Sequence, residues 1–275
     1  MDCVDELQRP LSLPACPQRI VSLVPSITET LFALGAGASV VGVTRFCTHP
    51  PEQVAGLTKV GGTKDPDLEA ILRLRPDVVI LNEEENRRED FSWLEEHGLC
   101  VYVTAPRTVR DGIDMIELLG RLTGRSEDGR ALARALRQQA DQLAGDLERQ
   151  PRVRVFCPIW RKPWMSFNAQ TYSDDMLWTC GGENIFRARA ERYCTVGLDE
   201  VAAADPQVVV LPSEPYPFAA KHLVHLKPLA HTVAGKMGHL YCVDGMALCW
   251  YGPRIADGLA QLSRLFGYVR HTLDD

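Results

Sequence analysis

The sequence has 275 residues and is 45% hydrophobic, which is enough apolar material for one large domain or two smaller ones. Its formal net charge of −6 argues against nucleic acid as the main partner, because phosphate binding requires a basic surface. No apolar run approaches the roughly 20 residues that a membrane-spanning helix needs, so a membrane-embedded protein is not expected.

The N-terminal stretch 1–18 carries acidic residues and no hydrophobic segment, which is unlike a signal peptide. The sequence as written therefore predicts a cytoplasmic protein, or a periplasmic or cell-surface one if a signal has been removed. The cysteines favour the cytoplasm. Their number is odd and they form no Cys-x-x-Cys pair, which is a poor framework for disulfide bonds. Cys100, Cys157 and Cys180 lie in apolar segments, so we expect reduced, buried thiols, as is usual in the cytoplasm.

The first half opens with an apolar strand pattern at 19–24. Pro25-Ser26 then predicts a turn, and a helix that starts at Thr28 ends at the glycine after Leu34. Further along, 78–81 is an unbroken β-branched and leucine run, which is typical of a parallel strand buried on both faces.

The second half repeats this plan. The stretches 70–84 and 201–214 each predict a helix that ends near a proline, an apolar strand and a polar loop containing glutamate. A strand at 153–159, an elaborate loop at 160–170 and a helix at 173–180 match the opening of the first half. Alternation of strands and helices predicts an α/β fold.

A segment of different composition separates the halves. From 126 to 150 there is no proline, and four leucines spaced four, seven and four residues apart form an amphipathic stripe. This pattern predicts one long helix, which a shorter helix at 109–122 precedes. Such a helix is a rigid connector, whereas a flexible linker would be rich in Gly, Ser or Pro.

We therefore predict an α/β protein with two similar Rossmann-like lobes joined by one long rigid α-helix, with the ligand cleft between the lobes. The predicted boundaries are 1–124 for the N-terminal lobe, 125–150 for the connecting helix and 151–275 for the C-terminal lobe. The alternative is a single larger α/β domain with one long surface helix.

The loops that follow the strands are the candidate ligand contacts, because ligands of open α/β sheets bind at the carboxyl ends of the strands. These loops hold many aromatic side chains, which offer stiff apolar faces to a flat macrocycle, and charged groups that can pair with ligand carboxylates, phosphates or amides. The alternatives are aromatic packing within the lobes and solvated loop charges. The predicted ligand-binding residues are Pro25, Ser26, Arg45, Phe46, His49, Lys64, Glu83, Glu84, Trp160, Arg161, Trp164, Tyr172, Glu214, Tyr216, Trp250 and Tyr251.

Motifs of catalysis and metal binding are missing from the sequence. His49 is close to Cys47, but no second histidine follows another strand, and His222 and His225 have no clear partner. There is no Gly-x-Ser-x-Gly elbow, no Walker spacing and no Gly-x-Gly-x-x-Gly after the first strand. We therefore expect no catalytic residue, no metal ligand and no required cofactor.

Motifs between 19 and 266 resemble those of a known family. They are Arg19-Ile-Val-Ser-Leu-Val-Pro-Ser26 with Thr28-Glu29, Val41-Gly-Val43, Pro50-Pro51, Asp67-Leu-Glu69 to Pro76-Asp77, Cys180-Gly-Gly-Glu-Asn-Ile-Phe186, Pro206, and Gly252-Pro-Arg254. The chain resembles the helical-backbone metal receptors, a class of ABC-transporter substrate-binding proteins, and is most similar to their cobalamin-binding branch. Its loops at 82–86 and 159–165 depart from those of the best-known cobalamin binders.

The resemblance implies a monomeric, non-enzymatic receptor that holds a metal chelate, first of all a cobalamin-like corrinoid, and delivers it to an ABC permease. It also implies one surface carboxylate per lobe that docks on the permease, namely Glu69 and either Asp199 or Glu200. For Glu69 the alternative is an acid favoured by the helix dipole. For the whole chain, the alternatives are a cytoplasmic carrier of a corrinoid, haem or siderophore uncoupled from transport, and an enzyme that uses Cys47 or His49.

Overall fold

A computed structural model of the protein describes residues 2–13 and 16–274. The chain forms two compact units, and each is built on a parallel sheet with helices. The first unit takes in the described residues up to Pro106, Arg110–Leu136 and Tyr251–Pro253, and the second takes in Arg107–Val109, Arg137–Trp250 and the described residues from Arg254 onward.

The first unit has a parallel five-stranded sheet and a separate antiparallel hairpin at its start. Its strands are β1 (Asp2–Val4), β2 (Pro10–Ser12), β3 (Ile20–Ser22), β4 (Val40–Val43), β5 (Thr58–Lys59), β6 (Val78–Asn82) and β7 (Val101–Thr104). The helices over this part of the chain are α1 (Pro25–Ala33), α2 (Pro51–Val54), α3 (Leu68–Arg73), α4 (Arg88–Glu96), α5 (Val109–Leu122) and α6 (Ser126–Leu147). In the sheet order β5-β4-β3-β6-β7, the chain adds strands to one side of β3 and then, from β6 on, to its other side. The carboxyl ends of β3 and β6 are therefore the topological switch point.

The second unit combines a parallel four-stranded sheet, ordered β11-β8-β13-β14, with an antiparallel three-stranded sheet, ordered β12-β10-β9. Its strands are β8 (Val153–Phe156), β9 (Trp160–Arg161), β10 (Trp164–Phe167), β11 (Gly182–Asn184), β12 (Tyr193–Thr195), β13 (Val208–Pro212) and β14 (Leu240–Val243). Its helices are α7 (Tyr172–Thr179), α8 (Leu198–Ala203), α9 (Val233–Met237), α10 (Gly245–Cys249) and α11 (Ile255–Asp274), with a 3-10 helix at Ala220–Leu229. Here the switch point lies between β8 and β13.

The predicted α/β class and the two repeated strands are confirmed. Every residue of β6 and of β13 is buried, as a parallel strand covered on both faces requires. Each sheet has its own apolar core, centred on Val21, Val79 and Ile71 in the first unit and on Phe156 and Val209 in the second.

Some predicted boundaries are wrong. The first helix begins at Pro25 and not at Thr28, because proline fits the first helical position, where its missing N–H costs nothing. The strand predicted at 153–159 ends at Phe156, and the loop predicted at 160–170 begins with the β9–β10 hairpin. The long helix ends at Leu147.

The buried-thiol prediction holds for Cys157 and Cys180, whereas Cys100 is only half-buried and Cys16 and Cys242 are exposed. Among the described residues, no helix has the length and apolarity needed to cross a bilayer.

Candidate functional site

The switch point of the first unit is formed by the start of α1 and the loop after β6. Strands β3 and β6 pair in register, with Ser22 opposite Ile80, so the residues that follow them lie in neighbouring loops. Pro25 and Ser26 form the first turn of α1 after β3. Glu83 and Glu84 follow β6 directly.

Two asparagines shape the loop that carries these glutamates. Asn82 Oδ1 accepts from the backbone N–H groups of Glu84, at 2.9 Å, and Glu85, at 3.2 Å. Asn86 Oδ1 accepts from Asn82 N at 2.8 Å, and Asn86 Nδ2 donates to Thr63 O at 2.9 Å. The loop is therefore held by side-chain to backbone bonds in a fixed shape.

Lys64 also supports the loop after β6, because its Nζ donates to the carbonyl oxygen of Glu84 at 2.6 Å.

The loop after β4 carries the remaining predicted residues of this unit. Arg45 forms an ion pair with Asp65 at 3.0 Å and stands 4.8 Å from the ring centroid of Phe46, which is 50% exposed. His49 Nδ1 lies 3.0 Å from the hydroxyl of Thr48.

The second unit brings aromatic rings together at its own switch point. The β9–β10 hairpin follows β8, and the loop after β13 lies against it, with the Trp160 and Tyr216 rings 5.3 Å apart in edge-to-face contact. Arg161 Nε donates to the Tyr216 hydroxyl at 3.2 Å. Trp160 is 43% exposed, so it presents a large apolar face at the surface.

Trp164 lies on the core side of this cluster. Its ring stacks on Phe218 at 5.9 Å and packs against the core that contains Phe156. Phe218, which the sequence analysis did not include among the ligand contacts, is buried and touches Tyr216 at 4.6 Å. It also touches His222, another residue outside the predicted set, at 5.8 Å.

Glu214 holds an aromatic residue by a hydrogen bond, since Trp250 Nε1 donates to Glu214 Oε2 at 2.9 Å. Tyr172 donates its hydroxyl to the Trp250 carbonyl at 3.4 Å, and burial raises the pKa of Tyr172 far above its usual value. Tyr172, Trp250 and Tyr251 are all buried. Among the predicted aromatic contacts that follow β8 and β13, Trp160 is therefore exposed and Tyr216 half-buried.

The β9–β10 hairpin is anchored by Asn184, which lies in the motif 180–186. Asn184 Nδ2 donates to Phe167 O, at the end of β10, at 2.7 Å and to Asp174 Oδ1 at 3.1 Å. Asn184 Oδ1 accepts from Phe186 N at 3.1 Å. This explains the asparagine in the run 180–186: one amide joins β10, β11 and α7.

The carboxylates predicted to dock on a permease lie at helix starts. Glu69 is exposed in the first turn of α3, which Asp67 caps by accepting from Ala70 N at 2.9 Å. Asp199 is exposed in the first turn of α8, whereas the neighbouring Glu200 forms an ion pair with Arg189.

The strand-end loop 82–86 was predicted from the sequence to face the ligand, but Asn82 and Asn86 were not among the predicted ligand contacts. Phe218 lies in the aromatic loop that follows β13, whereas His222 gave no sequence signal, because only tertiary contacts bring it to the cluster. Across residues 2–13 and 16–274, no group of three or more His, Cys, Asp or Glu side chains is arranged to hold a metal ion.

The chain is similar in sequence and in fold to proteins of known name. The vitamin B12-binding protein of Vibrio vulnificus strain CMCP6 is 29% identical over 261 residues, which cover 94% of each chain. The apo periplasmic haem-binding protein from Roseiflexus sp. RS-1 is 26% identical, with a TM-score of 0.81 over 92% of this chain and 99% of that one.

The crystal structure of the periplasmic vitamin B12 binding protein of Vibrio cholerae shares the fold, with a TM-score of 0.82 over 93% of this chain and 99% of that one at 24% identity. Residues 20–246 match the family profile described as periplasmic binding protein. The chain belongs to the periplasmic binding protein family.

Proposed function

We propose that this protein is a substrate-binding component that binds a cobalamin-like corrinoid and delivers it to an ABC importer. The observation that carries the proposal is the aromatic surface formed by Trp160 and Tyr216 at the switch point of the second unit. A flat macrocycle fits stiff aromatic faces, which gain contact area at low entropy cost. The name of the Vibrio vulnificus relative agrees with this ligand.

For delivery, we propose that Glu69 and Asp199 dock on the permease. Both are exposed carboxylates on first helical turns, whereas Glu200 is already paired with Arg189. In this role the protein acts outside the cytoplasmic membrane. It binds its ligand and catalyses no reaction.

The test is a titration of the purified, reduced protein with hydroxocobalamin, followed by tryptophan fluorescence and calorimetry. We expect saturable one-to-one binding with a Kd in the micromolar range or tighter. Hemin is titrated in parallel, because a structural relative is named as haem-binding. Binding of hemin without hydroxocobalamin would move the ligand to porphyrins, and binding of neither would refute the proposal.

Trp160→Ala is expected to weaken corrinoid binding about fivefold, the equivalent of an aromatic contact worth roughly 1 kcal/mol. The fold should persist, because the ring is 43% exposed. Trp93→Ala is the matched control: this tryptophan lies on α4 and stacks on His97 at 3.7 Å, away from the strand ends. Equal affinities in the two variants would remove Trp160 from the site.

A further inference from the structure

The β9–β10 hairpin carries an arginine that the fold orients without neutralising its charge. Arg161 is half-buried, and its Nε donates to the Tyr216 hydroxyl at 3.2 Å, beside the edge-to-face pair of Trp160 and Tyr216. Among the residues that the structure describes, no carboxylate pairs with Arg161 and no acceptor meets its two terminal NH₂ groups. A guanidinium that is held by one edge presents its remaining donors to an acceptor from outside the chain.

The Tyr216 hydroxyl adds a second donor at the same place. Burial, and after it the positive charges of Lys221 and Arg161, lower the pKa of His222, which favours the neutral ring. Because the backbone N–H of Ala219 donates to His222 Nδ1 at 3.0 Å, this neutral ring carries its proton on Nε2, 3.5 Å from the Tyr216 hydroxyl oxygen. That oxygen thus faces two donors, and in the described part of the chain its own proton has no acceptor.

The segments that meet here carry more positive than negative charge. The hairpin that contains Arg161 also contains Lys162 and no acid, and the 3-10 helix of this unit contains Lys221 and no acid. The loop between β13 and that helix has a single carboxylate, Glu214, whose Oε2 already accepts from Trp250 Nε1 at 2.9 Å. An anionic group at the hairpin is therefore attracted by the surrounding charge.

An anionic oxygen group matches these donors, because phosphates and carboxylates accept two parallel N–H bonds from one guanidinium. The exposed ring of Trp160 lies beside them and offers an apolar face to the flat part of the same ligand. We propose that Arg161, Lys162 and Tyr216 form a subsite for an anionic oxygen group, which in a cobalamin-like corrinoid is the phosphodiester of the nucleotide loop. This rests on the proposed function and adds the chemical group that the second unit recognises.

The experiment titrates the wild type and Arg161→Gln with cyanocobalamin, cobinamide phosphate, dicyanocobinamide and hemin. Dicyanocobinamide lacks the phosphate, cobinamide phosphate keeps it without the nucleotide base, and the anionic groups of hemin are carboxylates. Arg161→Gln is expected to weaken binding of the two phosphate-bearing corrinoids about tenfold, as loss of a charge-assisted hydrogen bond does. Its affinity for dicyanocobinamide should stay within about twofold of the wild-type value, because no anionic oxygen is present to be lost.

Two further variants separate charge recognition from an effect on folding. Lys162 is exposed, so Lys162→Gln keeps the fold and should weaken binding of the same two corrinoids about threefold. Arg264→Gln is the control, because Arg264 is an exposed arginine on α11 that lines a groove with Leu143 of α6. It should leave all four affinities unchanged.

Equal losses for dicyanocobinamide and cobinamide phosphate in Arg161→Gln, or a loss confined to cyanocobalamin, would overturn the anionic subsite and leave corrinoid binding intact. Unchanged affinity for both phosphate-bearing corrinoids in the two hairpin variants would do the same. Binding of hemin alone, weakened by Arg161→Gln, would refute the corrinoid ligand and keep the subsite, with a carboxylate as its partner. Failure of all four ligands to bind would refute both proposals.

Discussion

Replacement of Asp174 by alanine is expected to lower the free energy of unfolding by about 3 kcal/mol, as removal of one partner from a buried charged pair does. The Asp174 side chain is 1% exposed, its Oδ1 accepts from Asn184 Nδ2 at 3.1 Å, and its Oδ2 lies 3.5 Å from Arg187 Nε. Burial raises the pKa of Asp174, whereas the hydrogen bond from Asn184 and the charge of Arg187 oppose that rise. Alanine would leave the Arg187 guanidinium, stacked 3.5 Å from the Trp178 ring, without its counter-charge.

Urea denaturation followed by circular dichroism measures this loss. Asp174→Asn keeps an oxygen for Asn184 and should cost about 1 kcal/mol, in line with a hydrogen bond that is retained while an ion pair is lost. Glu183→Ala removes an exposed carboxylate from β11 and should change stability by less than about 0.5 kcal/mol. An Asp174→Ala variant as stable as Glu183→Ala would show that the network does not anchor the fold.

The same variant tests how the ligand surface is supported. Asn184 binds both Asp174 and the last residue of β10, so loss of the carboxylate loosens the hairpin that carries Trp160 and Arg161. Preorganised binding groups lose affinity when their support is removed. Corrinoid affinity is therefore expected to fall in Asp174→Ala even at temperatures where the variant remains folded.

The sequence was most informative where one physical rule acts alone. Strands β6 and β13 were predicted because a strand buried on both faces needs an unbroken apolar run, and both are fully buried. The start of α1 was misplaced because Pro25 reads equally as a turn residue and as a first helical residue. Only the chain before and after it decides between the two.

The candidate site was less predictable for a related reason. Loops at strand ends can be located from the strands, but the direction of each side chain depends on contacts distant in sequence. Trp160 and Trp164 are four residues apart on one hairpin, yet Trp160 is exposed and Trp164 stacks on Phe218. Nothing in the local sequence pattern distinguishes the two rings. The sequence therefore predicts the loop that carries them, but not the direction in which each side chain points.

Glu6 gives the first unit a pH-dependent stability. The hairpin β1–β2 covers the edge of the sheet at β7, where Glu6 N donates to Val103 O at 3.2 Å and Glu6 Oε2 accepts from Ala105 N at 2.7 Å. Glu6 Oε1 is buried and has no hydrogen-bond partner among the described residues. Burial, with smaller contributions from the nearby carboxylates Asp111, Asp5 and Asp114, raises the pKa of Glu6 from 4.5 to about 7.

A carboxyl group whose pKa is raised by folding binds its proton more tightly in the folded state. Its contribution to stability is therefore complete below pH 4.5, is lost as the pH rises to about 7, and stays lost above that value. The loss corresponds to about 3 kcal/mol at 1.36 kcal/mol for each pKa unit. Glu6→Gln keeps an oxygen for Ala105 N and removes the ionisation, so the variant should be more stable than the wild type by about 3 kcal/mol at pH 8 and by little at pH 4.5.

Urea denaturation of the two proteins at pH 4.5, 6, 7 and 8 separates this effect from other titrations, because every other group is common to both. Glu96→Gln, an exposed carboxylate on α4, serves as the control and should show a difference from wild type that does not depend on pH. The stability gained by Glu6→Gln must grow through the interval between pH 4.5 and 7 if the buried carboxyl is its source. An equal gain in the free energy of unfolding at both ends of that interval would mean that the variant stabilises the hairpin through packing. Ionisation of Glu6 would then not destabilise the folded state.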